Sequence, residues 1–445
     1  MDKDRASVLI DKVKKLTPSK YYCVVNITGG QQSVTRFANS EISQNTNKSD
    51  IHMSITLHDG RKEATCGTNV LNDEGLQRLV NDAESLLALS PQGNFDIFPW
   101  EKPALHNAES DKDLRLLYDA KGRAEALKEG IANFEKDFTA AGALILENRI
   151  EAYGNSSSDD ILFSSLDNVQ FNTVVTHKPS GADGSGECIS HRADQLKIFD
   201  AFSNAKKISA MGSDTSKLVT MSGGEYTVIL SPKAVADLVT YLTWSLNAKR
   251  VVDGLSFCNR NLSETPKLGE NINIFDDVND PRVIPLYFDY EGRKRQSIPL
   301  IEKGVIKNIL HDNKTANLLN IAQPTGHAYS NKGYGGLSFH TIMLGGDTTV
   351  EDMISDTAKG IFISELHYTN FVNPRTLQIT GLTRNGTFLI ENGQITRPVT
   401  TMRFTQNLIE AFNNVTAVSK DLEVVNAYEW STVVPALKIE RFCFP

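Results

Sequence analysis

Gly381-Leu-Thr-Arg-Asn-Gly-Thr-Phe-Leu-Ile-Glu-Asn-Gly-Gln-Ile395 contains two Asn-Gly pairs, Asn385-Gly386 and Asn392-Gly393. Asn and Gly tolerate the positive φ that tight hairpin turns require, so both pairs read as hairpins. The same kind of signal recurs outward from this stretch, at Lys303-Gly304, Asp289-Tyr290-Glu291-Gly292 and Asp59-Gly60. Helices are interspersed with these hairpins without a regular strand–helix–strand rhythm. The expected fold class is therefore α+β: multi-domain, mainly antiparallel sheets with flanking helices.

Periodicity fills in the elements. Leu9, Val13 and Leu16 give a short helix over 6–16, and Leu76, Leu79, Val80, Ala83, Leu86 and Leu87 another, capped by Asn72 or Asp73. Strands are expected at 21–27, 50–57, 143–149, 161–165, 169–176, 226–230 and 433–442. Further helices are expected at 111–138, 195–208, 232–250, 348–359 and 404–416, and a Gly/Ser/Asp-rich loop at 179–186. The three prolines of 90–107 mark a linker. The expected domains are 1–95, an N-terminal α+β unit; 108–220, a middle α+β unit; and 221–445, a β-rich unit with inserted helices.

Composition narrows the class. The 445 residues are 40% apolar and 22% charged, enough to build cores and unlike a disordered chain. The net charge of −8 disfavours binding to duplex nucleic acid, which depends on Lys and Arg neutralising phosphates. No apolar run approaches membrane-spanning length, and the N-terminus does not read as a signal peptide. Five scattered cysteines without a CxxC pair fit reduced thiols in a cytoplasmic protein.

Candidate chemistry is sparse. No HExxH or HExxxH places two imidazoles one helical turn apart. His177, Cys188 and His191 form a loose three-ligand candidate, set against three unrelated polar residues around a loop. Asp276, Asp277, Asn279 and Asp280 read as a solvated turn in preference to a cation loop. Asp289 and Glu291 read as a turn in preference to an acid–base pair, and Ser40, His58 and Asp59 as a triad only in composition. The phosphate-loop lysine is missing after Gly386, and Gly333–Gly336 has the wrong spacing for a dinucleotide turn.

Phe371-Val-Asn-Pro-Arg-Thr and the 381–395 stretch together resemble the signature of the TldD/PmbA family, also labelled modulators of DNA gyrase. Arg36-Phe-Ala-Asn-Ser-Glu-Ile, His58-Asp-Gly-Arg, Gly224-Glu-Tyr-Thr-Val-Ile-Leu-Ser-Pro, Asp289-Tyr-Glu-Gly, Leu300-Ile-Glu-Lys-Gly-Val-Ile and 312–316 extend the resemblance from about residue 20 to the end. It implies proteolysis of peptides and unfolded proteins. TldD-like subunits carry a helical HExxxH zinc motif and a C-terminal cysteine ligand; TldE (PmbA)-like subunits lack them. Here Thr240 and Tyr241 stand at the His-Glu positions and Ser245 at the second His, and the Cys-Gly-Lys loop is missing.

The resemblance therefore implies a TldE/PmbA-type subunit that binds no metal itself and positions extended peptides. A TldD-like partner would supply zinc, in a hetero-oligomer; a homodimer is the other assembly. Asn373, Arg375, Thr376, Glu391 and Asn392 match family motifs and are candidates for peptide contact or for structure. For Arg375 the structural use is an internal ion pair, and for Asn392 a hairpin turn. Two other functions stay open: an autonomous metallopeptidase using His177, Cys188 and His191, and a non-enzymatic protein acting on a toxin or gyrase system.

Overall fold

Asp2 accepts a hydrogen bond from the Arg5 amide and starts α1 (Lys3–Leu16), whose Ala6, Leu9, Ile10 and Val13 are buried. Asn72, accepting from the Gly75 amide, starts α2 (Asp73–Leu89) in the same way. Both helices lay apolar stripes on a sheet core that includes Cys23, Val25, Ile27, Met53, Ile55 and Leu57. The structure is a computed structural model that describes residues 1–93, 100, 102–103, 111–132, 134–329, 333–428 and 430–445, with Glu129 described by its backbone alone. Most of the expected linker, including His106, lies outside the described residues.

The first sheet comprises β1 (Tyr22–Ala38), β2 (Glu41–His58), β3 (Glu63–Thr68), β4 (Phe138–Asn155), β5 (Ile161–His177) and β6 (Ala182–Ser190). Their order is β3-β2-β1-β4-β5-β6, antiparallel throughout. The 1–95 and 108–220 segments thus contribute three strands each to one sheet. Between them, α3 (Ala120–Ala132) and then α4 (Ile198–Met211) cover its other end through Phe37, Leu144, Phe171 and Phe202.

The second half builds a mixed sheet. Its strands are β7 (Gly224–Leu230), β8 (Ile274–Asp276), β9 (Ile298–Glu302), β10 (Val305–Ile306), β11 (His340–Met343), β12 (Lys359–Asn373), β13 (Gln378–Glu391), β14 (Gln394–Pro398), β15 (Arg403–Asn407), β16 (Val415–Ala427) and β17 (Trp430–Phe444). The order is β10-β9-β8-β11-β17-β7-β12-β13-β14, with β15 on β13 and β16 on β17. Two pairs, β11–β17 and β7–β12, are parallel. The helices are α5 (Pro232–Ser245), α6 (Ala248–Val252), α7 (Asn313–Leu318), α8 (Val350–Ser355) and α9 (Leu408–Asn413). Leu238, Val239 and Leu242 of α5 join Val228, Ile361, Ile363 and Leu437 in the largest core. Each such buried side chain contributes about 1.5–3 kcal/mol. Among the described residues no helix is long and apolar enough to cross a membrane. The five cysteines form no disulfide.

The α+β class holds, and several local expectations change. Asn392-Gly393 makes the β13–β14 turn, with φ 52° and 77°. Asn385-Gly386 instead lies inside β13, where the register against β12 slips beside Ser364. A Cβ on Gly386 would meet Ile208 at 2.5 Å. The positive φ at this pair makes a bulge, not a turn. The 179–186 loop contracts to a turn before β6. Gly186 sits within the strand because α4 presses on it: a Cβ there would lie 2.0 Å from the Ala201 carbonyl.

The helix expected over 111–138 is a 3₁₀ turn at 112–118 followed by α3, and Phe138 already belongs to β4. The expected 232–250 helix breaks after Ser245, because Asn247 caps a second helix through the Lys249 and Arg250 amides. The 348–359 and 404–416 helices shrink to α8 and α9, while Lys359 and Arg403–Asn407 enter strands.

Candidate functional site

Ser231 accepts from the Ala234 amide and donates its own hydroxyl to the Ser364 carbonyl, tying the start of α5 to β12. Pro232 at the first helical position is preset for that start. One face of α5 then carries Lys233, Asp237 and Tyr241 at i, i+4 and i+8, one above the other.

Lys233 is caged. Its Nζ lies 3.2 Å from Glu187 Oε2, 3.4 Å from Glu365 Oε2 and 3.3 Å from Ser185 Oγ. Burial works against the charge, but the two carboxylates outweigh it and hold the Lys233 pKa above its ordinary value. Glu365 is further engaged by Ser185 Oγ at 2.5 Å and Asn385 Nδ2 at 2.8 Å. The bulge at Asn385 thus delivers an amide to this cluster. One turn along, Asp237 accepts from Thr369 Oγ1 at 2.7 Å. Burial pushes its carboxyl up to about 6, with the Thr369 hydrogen bond pulling the other way.

Tyr241 donates to the Thr369 carbonyl and accepts from Tyr428. Its ring packs at 4.8 Å from Phe371 and 5.3 Å from Trp244, and Trp244 lies 4.7 Å from Tyr428. Thr240 Oγ1 donates to the Ala236 carbonyl and Ser245 Oγ to the Tyr241 carbonyl, at 2.7 and 3.0 Å. The position expected of a metal-binding helix thus holds hydroxyls bonded back into the helix and an aromatic cluster. These residues do not fit a zinc ion, which takes thiolate, imidazole or carboxylate ligands.

At the start of α5, against Ser231, Pro232 and Lys233, opens a groove of about 860 Å³. One wall is β6 and α4, with Glu187 and Ile208; the other is α8, β12 and β16, with Phe362 and Leu422 through Val425. Among the described residues β6 is the last strand of its sheet, and β16 pairs with β17 and is otherwise bridged only at Ser419, by Thr348. Two strand edges therefore border the same space.

Residues 223–444 match the model described as the PmbA/TldA metallopeptidase C-terminal domain. The chain belongs to the TldD/PmbA family. A zinc metalloprotease TldD homolog of Saccharolobus solfataricus is 26% identical over 226 residues, covering 47% of each protein. The chain thus spans about half the length of the curated relatives it matches. In fold it is similar over nearly its whole length to TldE from Thermococcus kodakarensis (TM-score 0.81, 20% identity, 98% of this chain and 99% of that one). A Thermotoga maritima protein named for modulation of DNA gyrase superposes as well (TM-score 0.80, 18% identity, 99% of each chain).

The remaining candidates of this TldD/PmbA chain scatter. Asn373 Oδ1 accepts from the Arg375 amide and shapes the β12–β13 turn. Arg375 and Thr376 are exposed, and Arg375 makes no ion pair among the described residues. Glu391 pairs with Arg397 at 3.0 Å and accepts from Thr396, beside the Asn392 turn. These two groups stand at opposite ends of the 14-residue β13, ~45 Å apart. His177 lies six positions along β5 from Phe171, the partner of Cys188, so the two are separated by ~20 Å. His177 Nδ1 meets Ser180 Oγ at 2.7 Å instead. The His177, Cys188 and His191 site is not assembled. No group of three or more His, Cys, Asp or Glu side chains among the described residues could hold a metal ion. Ser40 and His58 stand at opposite ends of β2.

Asp289 takes the Glu291, Arg293 and Ala328 amides, as a turn former does. Glu291 takes the Asn313 amide, and burial, then Asp289 and Asp312, push its carboxyl well above the ordinary range. The acidic 276–280 segment is not one solvated turn. Asp277 bonds Ser297 and Asn279, Asp280 pairs with Arg282, and Asp276 is wholly buried. Asp276 accepts from Ser338 Oγ and the Phe339 amide at 2.7 and 3.0 Å, and lies 3.3 Å from His340 Nδ1 and 3.4 Å from His327 Nε2. Burial alone would raise its carboxyl; the two histidines outweigh that and hold it well below. Sequence spacing gave no sign of this cluster or of the Lys233 cage, because their members come from separate elements.

Proposed function

We propose that this chain is a TldE/PmbA-type subunit of a peptidase complex, binding and positioning extended peptides while a TldD-like partner supplies the zinc. The observation that carries the reading is the state of α5. Its residues at the family's ligand positions, Thr240 and Ser245, spend their hydroxyls on helix carbonyls, and Tyr241 fills the space between α5, β12 and Tyr428. The groove supports the peptide-holding part. Extended backbone bound at a free strand edge gains main-chain hydrogen bonds whatever its sequence, and the groove is bordered by two such edges.

The test is elemental analysis and peptidase assay of the purified chain, alone and with a TldD-like subunit. The chain alone is expected to hold no stoichiometric zinc and cleave no peptide, and to raise cleavage when the partner is added. Chelator-sensitive cleavage by the chain alone would overturn the assignment.

A further inference from the structure

The outer edge of β16 is capped at both ends and open between them. At one end the Asn426 amide donates to Glu187 Oε1 at 3.0 Å, while Glu187 Oε2 lies 3.2 Å from Lys233 Nζ. The Glu187 carboxylate thus stands where the main-chain carbonyl of a neighbouring strand would stand, and the lysine fixes it there. At the other end the Lys420 amide donates to the Thr348 carbonyl at 2.8 Å. From Leu422 to Ala427 the ladder between β16 and β17 is regular. In such a ladder alternate residues turn their N–H and C=O to the same side. Asn426 turns its amide away from β17, so Val424 and Leu422 turn outward with it. Among the described residues nothing bonds their main-chain groups on that side, and both residues line the groove. The stretch from Lys420 to Asn426 is ~20 Å long. Exposed charges of both signs, Lys197, Lys207, Glu351 and Glu423, border the same space.

We infer that the groove takes a short extended peptide segment, about five residues long, by its main chain on Leu422 and Val424, and that Glu187 is the stop that ends the added strand. The inference rests on the peptide-holding reading and names what that site selects. A segment laid on this edge meets unpaired N–H and C=O groups, which the main chain of any residue except proline can satisfy. The mixed charges along the groove favour neither acidic nor basic side chains. Length is what the edge measures. A longer strand has to displace the Glu187 carboxylate from both Asn426 and Lys233, or the Thr348 carbonyl from Lys420.

Fluorescence anisotropy of labelled peptides of alternating alanine and valine, about three, five, seven and nine residues long, tests this on the full chain with and without a TldD-like partner. Affinity is expected to rise about tenfold from the first length to the second, as further main-chain bonds form, and less than about twofold beyond it. N-methylation of alternate amides in the second peptide is expected to cost about tenfold in one alternation and less than about threefold in the other, as a strand with one bonded edge requires. Glu187→Ala is expected to let the third length bind about fivefold tighter than the second. Glu187→Gln, whose amide oxygen still accepts from Asn426, is expected to keep the plateau. Affinity that climbs steadily to the longest peptide on the unmodified protein would overturn the stop and leave the peptide-holding reading standing. Binding of no peptide, in either assembly, would overturn both. The length series needs no variant to fold.

Discussion

Two buried polar clusters in this molecule are built from similar residue types and serve different ends. Around α5, in the cluster of Lys233, Glu187, Glu365 and Asp237, Lys233 and Glu187 line a groove of about 860 Å³. Around Asp276, the residues His327, His340 and Arg295 lie where the first sheet meets the second. The hollow next to Arg295 measures about 10 Å³, at the lower limit for one water. Arg295 Nε and Nη1 find no hydrogen bond among the described residues, and the guanidinium rests 4.3 Å from the Phe339 ring. Phe339 stacks on Trp430 at 3.8 Å, and Trp430 meets Arg149 of β4 at 4.6 Å. The series Arg149, Trp430, Phe339, Arg295 clamps one sheet to the other. The lesson is that charge and burial alone do not mark a binding site. Adjoining space does, and among the described residues it lies beside the α5 cluster.

Removing a charge from each cluster sharpens the contrast. The largest effect is expected for Asp276→Ala, which leaves two imidazoles, a hydroxyl and an amide without their common partner. A loss of about 3–5 kcal/mol of stability is expected in urea unfolding, and a loss under 1 kcal/mol would mean the cluster is not a clamp.

Asp237 in the groove cluster should behave differently. Its folded pKa, about 6, lies above its ordinary 3.8, so the folded state favours the protonated form. The native state then binds more protons than the unfolded chain between these values, and stability falls as pH rises from 4 to 6. The full penalty above pH 6 is about 3 kcal/mol. Asp237→Asn is expected to raise Tm at pH 7.5 and to flatten its change between pH 4 and 7.5. An unaltered pH profile would show that the carboxyl is ionised at no penalty.

The smallest effect is expected at Arg375, which belongs to neither cluster. Arg375→Ala should change stability by less than about 0.5 kcal/mol, because the side chain is exposed and without an ion pair among the described residues. A larger loss by thermal unfolding would reveal a structural role that the geometry does not display.

What could be read from the sequence follows the range of each interaction. α1 and α2 declared themselves through their stripes, and α2 through its cap as well, since a helix's partners lie within four residues. The missing imidazoles on α5 were equally plain, because side-chain chemistry at a position needs no fold to interpret. Strand lengths were less legible. The distal parts of β1 and β2 are polar on both faces, as in Ser43-Gln-Asn-Thr-Asn-Lys-Ser-Asp50, so no alternation betrays them. Asn385-Gly386 shows the limit most clearly. Its local preference for positive φ was read correctly, and its use was not, because a turn and a bulge ask the same of the backbone and differ only in what lies across the ladder.

By itself, then, the sequence determined the fold class, the main helices and the lack of an HExxH or HExxxH pattern, all of which follow from neighbours a turn or a strand repeat apart. Only the tertiary structure brought Ser185 to Glu365 across 180 positions, turned Asp276 inward and opened a groove between two strand edges. Those outcomes depend on which elements pack together, and packing is settled by the summed burial of whole faces, which no local pattern records.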